Sequence, residues 1–129
     1  MTNAKANEIA ARDLVMIAGR AADDKKASNI LMLEMAGILD ITDYFLICSG
    51  ATDRQTKSIS DEIQRQLRDA GRKPFRSAGE ELGDWILLDY VDFIIHIFTE
   101  ETREFYRLER LWKDAPRMKL ADFARSEAQ

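Results

Sequence analysis

Tyr44-Phe45-Leu46-Ile47-Cys48 is apolar without alternation. A strand with one wet face alternates apolar and polar residues, so an unbroken run of this length belongs to a strand covered on both sides. The next residues show how the chain leaves that strand. Ser49-Gly50-Ala51 makes a short connection, and Thr52-x-x-Gln55 is a capping box. The hydroxyl accepts from an orphan amide of the first turn, and the glutamine reaches back. Ile59, Ile63 and Leu67 then recur at helical spacing, with Gly71 and Pro74 as stop signals. A buried strand running straight into a helix with a narrow apolar stripe is the signature of an α/β protein.

The rest of the chain fits the same class. Ala10, Leu14, Ile17, Ala18 and Ala21 form one stripe of an amphipathic helix over residues 4–22, broken by Asp23-Asp24-Lys25-Lys26. Asn29 to Met35 reads as a strand. Trp85 to Tyr90 and Phe93 to Phe98 read as two strands joined at Val91-Asp92. A tight primed turn prefers glycine, so Val91 predicts a wider turn or local strain. From Glu100 to Trp112 the period is helical, with Phe105, Leu108, Leu111 and Trp112 on one side. The fold class is therefore α/β, a single domain with a mixed sheet of four to five strands flanked by helices. The domain is expected over residues 1–116, with 117–129 a flexible tail or short helix.

A chain of 129 residues supports one core. No apolar run approaches the ~20 residues that span a bilayer, and no signal-like segment opens the chain. A lone cysteine, Cys48, cannot form an intrachain disulfide, which fits a reducing, cytoplasmic compartment. The net charge of −4 is unevenly spread. Residues 79–104 carry eight acids and one base, a local charge of −7, whereas residues 53–76 sum to +3. An acidic region does not track nucleic acid, whose phosphates need Lys and Arg. It suits a basic protein partner, although charged residues also simply solvate surfaces.

Catalytic patterns are weak. His96 is the one histidine, so no histidine-based triad or cluster is available; it is expected to be hydrogen-bonded in or near the core. Cys48 behaves as a small buried hydrophobe, and no Cys/His spacing supports zinc. Residues 49–52 could cradle an anion at a helix start, but the plainer reading is a capped turn, since the Walker lysine and three-glycine patterns are missing. Asp89 and Asp92 lie three apart across a turn and need not converge on a metal. In the strand from Trp85, one face carries Trp85, Leu87 and Asp89 and the other Ile86, Leu88 and Tyr90. An aspartate on the Trp face argues that this face is not sealed core. A part-exposed Trp flanked by acids has the composition of a binding hot spot; the alternative is a packed Trp.

Asp43-Tyr44-Phe45-Leu46-Ile47-Cys48-Ser49-Gly50, Thr52-Asp53-Arg54-Gln55, Trp85-Ile86-Leu87-Leu88-Asp89-Tyr90, His96 with Phe98, and the run from Arg103 to Ala115 occur in that order. Together they resemble the ribosomal silencing factor, or Iojap-like, family over roughly residues 8 to 116. Val91 departs from the glycine usual in that family's hairpin turn, and the residues after Pro116 match no pattern of it. The resemblance implies a nucleotidyltransferase-like topology without the catalytic residues: Ser49-Gly50 replaces Gly-Ser, and no Asp-x-Asp occurs. It implies a non-enzymatic factor, with no cofactor and no metal, that binds the large ribosomal subunit through ribosomal protein L-fourteen. Occupying that face blocks subunit joining and represses translation under nutrient limitation. Combined with the charge, it assigns partner binding to Asp84, Trp85, Leu87, Asp89, Tyr90, Asp92, Glu100 and Glu101. Minor rRNA contact by the basic helix and homodimerisation off the ribosome are further expectations; a large-subunit assembly role and a metal-dependent nucleotidyltransferase-like enzyme are the alternatives.

Overall fold

The computed structural model describes residues 10–119. Helix α1 (Ala11–Asp24) leads into strands β1 (Ser28–Glu34) and β2 (Tyr44–Gly50), then helix α2 (Asp53–Asp69). Strands β3 (Arg76–Ala78), β4 (Trp85–Asp89) and β5 (Phe93–Thr99) come next, then short helices α3 (Glu100–Tyr106) and α4 (Leu108–Leu111) and strand β6 (Arg117–Lys119). They build a six-stranded sheet in the order β3-β4-β5-β2-β1-β6. Only β2 and β5 run parallel; the other neighbours are antiparallel.

The unbroken apolar run occupies the middle of this sheet, as its sequence requires. Leu46 and Cys48 face α1 and α2, among Leu14, Ala18, Ile59 and Ile63. Phe45 and Ile47 face the other way, into a second cluster with Leu31, Leu33, Met35 and Phe98. The capping box forms as read: the Thr52 hydroxyl accepts from the Gln55 N–H at 3.1 Å, and Gln55 Oε1 accepts from the Ala51 N–H at 2.7 Å. Gln55 Nε2 also donates to the carbonyls of Lys25 and Lys26, which ties the end of α1 to the start of α2. Residues 49–52 are thus a capped turn.

Three expectations are corrected. The sheet has six strands because β3 and β6 add one edge each, and three-residue strands are too short to show a period. Arg117–Lys119 therefore belong to the sheet, not to a tail, pairing with Leu31, Met32 and Leu33; the remainder of the expected tail, 120–129, lies outside the described residues, as does the expected helical stretch before residue 10. The helix expected over Glu100 to Trp112 breaks at Arg107, which takes the left-handed conformation (φ 49°) and donates its N–H to the Arg103 carbonyl. The break turns Leu108 and Trp112 onto the second face of the sheet while leaving Phe105 and Leu111 exposed.

Candidate interaction surface

The two faces of β4 have different fates, as alternation predicts. Ile86 and Leu88 are sealed under α1 and α2. Trp85 and Leu87 stand on the second face and are only half-buried. Among the described residues no long helix covers that face at the β4 side, so the indole is packed by side chains at its edges. Its ring lies 4.9 Å from Phe98 and 4.8 Å from Tyr106, centroid to centroid. Tyr106 is half-exposed and meets Phe105, which is 77% exposed, edge-on at 4.9 Å. With half-buried Leu87 and Ile94, these rings make one apolar surface along β4, β5 and α3.

His96 sits beneath it. The Trp85 Nε1–H donates to His96 Nδ1 at 3.2 Å, so the neutral ring carries its proton on Nε2, which is buried without a partner. Burial pushes the imidazole pKa down to about 4. His96 is thus the structural histidine the sequence suggested; its acceptor fixes the rotamer of Trp85. Cys48 is fully buried on the opposite face, and burial pushes its thiol up to about 12, which removes the reactive thiolate.

The loop before β4 is held close to the strand. Gly79 has φ 81°, and a Cβ there would lie 2.0 Å from the Trp85 carbonyl oxygen, so only glycine allows this approach. The Gly83 carbonyl accepts from the Thr56 hydroxyl at 2.5 Å, docking the loop on the first turn of α2. The Thr99 N–H donates to the Asp84 carbonyl, which sets exposed Asp84 beside the exposed Glu100 and Glu101 that open α3. Asp84 and Glu101 join no ion pair among the described residues.

The other predicted site residues are not part of this group. Asp89 and Asp92 lie at the opposite end of the hairpin. Asp89 is 8% exposed and spent on structure: Oδ2 accepts from Arg76 Nε at 3.1 Å and Oδ1 from the Val91 N–H at 2.8 Å. Asp92 pairs with Arg72 at 3.6 Å. Tyr90 is corrected outright. It is 1% exposed on the helix-covered face, stacked on Phe93 with rings 9° from parallel, and burial pushes its phenol to about 12. Conversely, Phe105 and Tyr106 join the surface although the helical reading turned Phe105 inward and did not select Tyr106. Of the expected basic helix, Arg65 is held by Glu62 at 2.6 Å and Asp69 at 3.6 Å.

Among the described residues, no three His, Cys, Asp or Glu side chains group as a metal site, and no helix is long and apolar enough to cross a membrane. The arrangement is an aromatic platform with an acidic margin, a composition that suits an interface. Comparison with known proteins identifies the family of the chain. A family model described as ribosomal silencing factor during starvation matches residues 8–129, including the segment beyond Pro116. The ribosomal silencing factor RsfS of Bacillus subtilis (strain 168) is 41% identical over 105 residues, 81% of this chain and 89% of that protein. The mouse protein named mitochondrial assembly of ribosomal large subunit protein 1 is 29% identical over 91 residues, 68% of this chain and 40% of its own length. The crystal structure of protein CV0518 from Chromobacterium violaceum superposes with a TM-score of 0.79 at 27% identity, covering 81% of this chain and 88% of that one. By family model and by identity over most of its length, the chain belongs to the ribosomal silencing factor family.

Proposed function

We propose that this silencing factor binds the large ribosomal subunit through ribosomal protein L-fourteen and blocks joining of the small subunit by occupying the contact face. The observation that supports this reading is the half-buried Trp85, backed by His96 and continued by exposed Tyr106 and Phe105, with Asp84 and Glu101, which join no ion pair among the described residues, at its margin. Aromatic anchors supply the affinity of such interfaces, and the acids fit a basic ribosomal protein while repelling bare rRNA. Leu87 adds apolar area and Glu100 adds charge; Asp89 and Asp92, already paired, contribute less. The factor acts as a monomer on the ribosome, and the same open face is where free copies would pair. Any rRNA contact falls to the stripe of Arg54, Lys57 and Arg68 on α2.

Sedimentation with separated subunits tests this. The wild type should migrate with the large subunit and reduce the yield of joined ribosomes when small subunits are added. Trp85→Ala should weaken binding by about 30-fold, equivalent to ~2 kcal/mol. A folded Trp85→Ala variant that binds as tightly as the wild type refutes the assignment. A second reading, action on immature large subunits, is favoured by the mouse relative named for ribosomal large subunit assembly. Recovery on precursor particles in place of mature subunits would select it.

A further inference from the structure

On the side of the sheet away from α1 and α2, an open cleft of about 990 Å³ lies between α3–α4 and the β1–β6 edge, beside the carboxyl end of β2. Of the residues at the Trp85 surface, Glu100 alone also lines this cleft. Chains leaving the parallel strands β2 and β5 turn to opposite faces, α2 to one and α3 to the other, and crevices at such reversals are where α/β sheets accept ligands. Five cationic side chains line the cleft: Arg103, Arg107, Arg110, Arg117 and Lys119. Three carboxylates, Glu100, Glu104 and Glu109, line it with them.

The floor is built. Arg103 is 8% exposed; Nη1 donates to the Asn29 carbonyl at 2.7 Å and to Ser49 Oγ at 2.9 Å, and Nε donates to Glu109 at 3.3 Å. A guanidinium fixed on three sides keeps Nη2 with no protein partner among the described residues. The Asn29 carbonyl reaches it through a register shift in β1 that puts Asn29 at φ 51°. On the rim, Arg107 (φ 49°) is held over Glu104, and Arg110 makes no side-chain hydrogen bond or ion pair among the described residues. In the wall, Glu109 Oε1 is buried with no hydrogen-bond donor. The cleft thus offers guanidinium donors to an anion and, beside them, the Glu109 carboxylate, whose buried Oε1 would turn toward the opening to accept from a hydroxyl or amino group.

We propose that this cleft binds an organic phosphate whose body carries hydrogen-bond donors, a nucleotide being the class that fits. Guanidinium groups match phosphate oxygens bidentately, and the volume lies at the upper end of the range for small-ligand sites. The phosphates face Arg107 and Arg110 with Arg103 behind them, and a ribose hydroxyl or base amino group donates to Glu109.

Calorimetric titration of the full chain with ADP, with adenosine and with inorganic pyrophosphate as the two halves of that ligand, tests this at low salt. ADP should saturate one site at submillimolar concentration, adenosine should not bind, and pyrophosphate should bind about tenfold more weakly. Arg107→Gly, which suits the left-handed backbone, and Arg110→Ala on the exposed rim should each weaken ADP about tenfold, with neither variant less thermally stable than the wild type. The proposal is overturned if neither ADP, ATP nor GTP saturates at millimolar concentration, or if pyrophosphate binds as tightly as ADP. It is equally overturned if both variants bind ADP like the wild type, or if a single-stranded RNA oligonucleotide displaces ADP through the same arginines with higher affinity.

Discussion

Val91 should be the residue whose replacement most improves this protein. It sits at φ 74° in the turn between β4 and β5, and the Asp92 N–H donates to the Tyr90 carbonyl at 2.9 Å. A two-residue hydrogen bond across a central residue with φ near +75° is a γ-turn of the strained hand. Holding a β-branched residue there costs ~2 kcal/mol, within the band for left-handed non-glycine backbone. Val91→Gly removes that strain. Against it stand ~0.7 kcal/mol of extra chain entropy in the unfolded state and ~0.5 kcal/mol of apolar contact, small because the side chain is 52% exposed. The net gain is about 1 kcal/mol. At ~2.1 cal/mol/K of unfolding entropy per residue, a chain of 129 residues converts this to a Tm rise of roughly 4 °C. Thermal unfolding followed by circular dichroism reads the shift, and urea titration should move the midpoint with the slope unchanged. Val91→Asn, which tolerates φ > 0, should gain less, and Val91→Ala, which keeps a Cβ, should gain nothing. A glycine variant no more stable than the wild type would refute the argument, since it would mean that the turn conformation is held without cost to the valine.

Other expectations concern buried groups and surface charge. The pKa of His96 near 4 in the fold, against 6.5 ordinarily, means the unfolded chain binds the extra proton between those values. Stability is then fully present above pH 6.5 and lost as pH falls toward 4, by up to about 1.4 kcal/mol per unit. His96→Gln should flatten unfolding free energy over that window; an unchanged slope would exclude His96 as its source. Arg103→Lys should cost ~3 kcal/mol in urea unfolding, because an ammonium cannot span Asn29, Ser49 and Glu109 as the guanidinium does; a loss below about 1 kcal/mol would show the network to be dispensable. Asp84→Lys should slow association with the large subunit more than Asp92→Lys, which replaces a carboxylate already facing Arg72. Equal effects measured at low salt would argue against the division of charge seen here.

What could be read from the sequence was set by the range of the interaction that decided it. The unbroken run at β2, the Thr52–Gln55 cap and the in–out alternation of β4 are decided within a few residues, and all stand in the structure. Alternation also put Tyr90 opposite Trp85, so its burial was legible, and choosing it as a surface anchor overrode that signal. Asp89 was different: its partner Arg76 lies on β3, whose three exposed residues give no period, so the compensation of that carboxylate was invisible without the pairing of β3 to β4. The break at Arg107 was hidden for a third reason. Neither Gly nor Pro marks it, and the helix stops there because Leu108 and Trp112 gain more by packing on Phe45 and its neighbours than by continuing the helix.

The same long-range pairing reshapes the electrostatic argument. A sequence segment with a charge of −7 suggests one acidic face, yet the hairpin separates its acids into two ends. At the Val91 end, Asp89 and Asp92 meet Arg76 and Arg72, so their field is largely cancelled and they serve the turn. At the Trp85 end, Asp84, Glu100 and Glu101 face no arginine or lysine in an ion pair among the described residues, and two of them also sit in the first turn of α3, where the helix dipole favours them. That second arrangement is stable without a partner and still leaves negative charge facing solvent beside an aromatic platform. The protein therefore needs no buried, unpaired carboxylate to attract a basic surface. Asp84 and the Trp85 ring, with Glu100 and Glu101 beside them, lie at one end of the hairpin, where the proposed basic partner would meet both, while the carboxylates at the other end are paired.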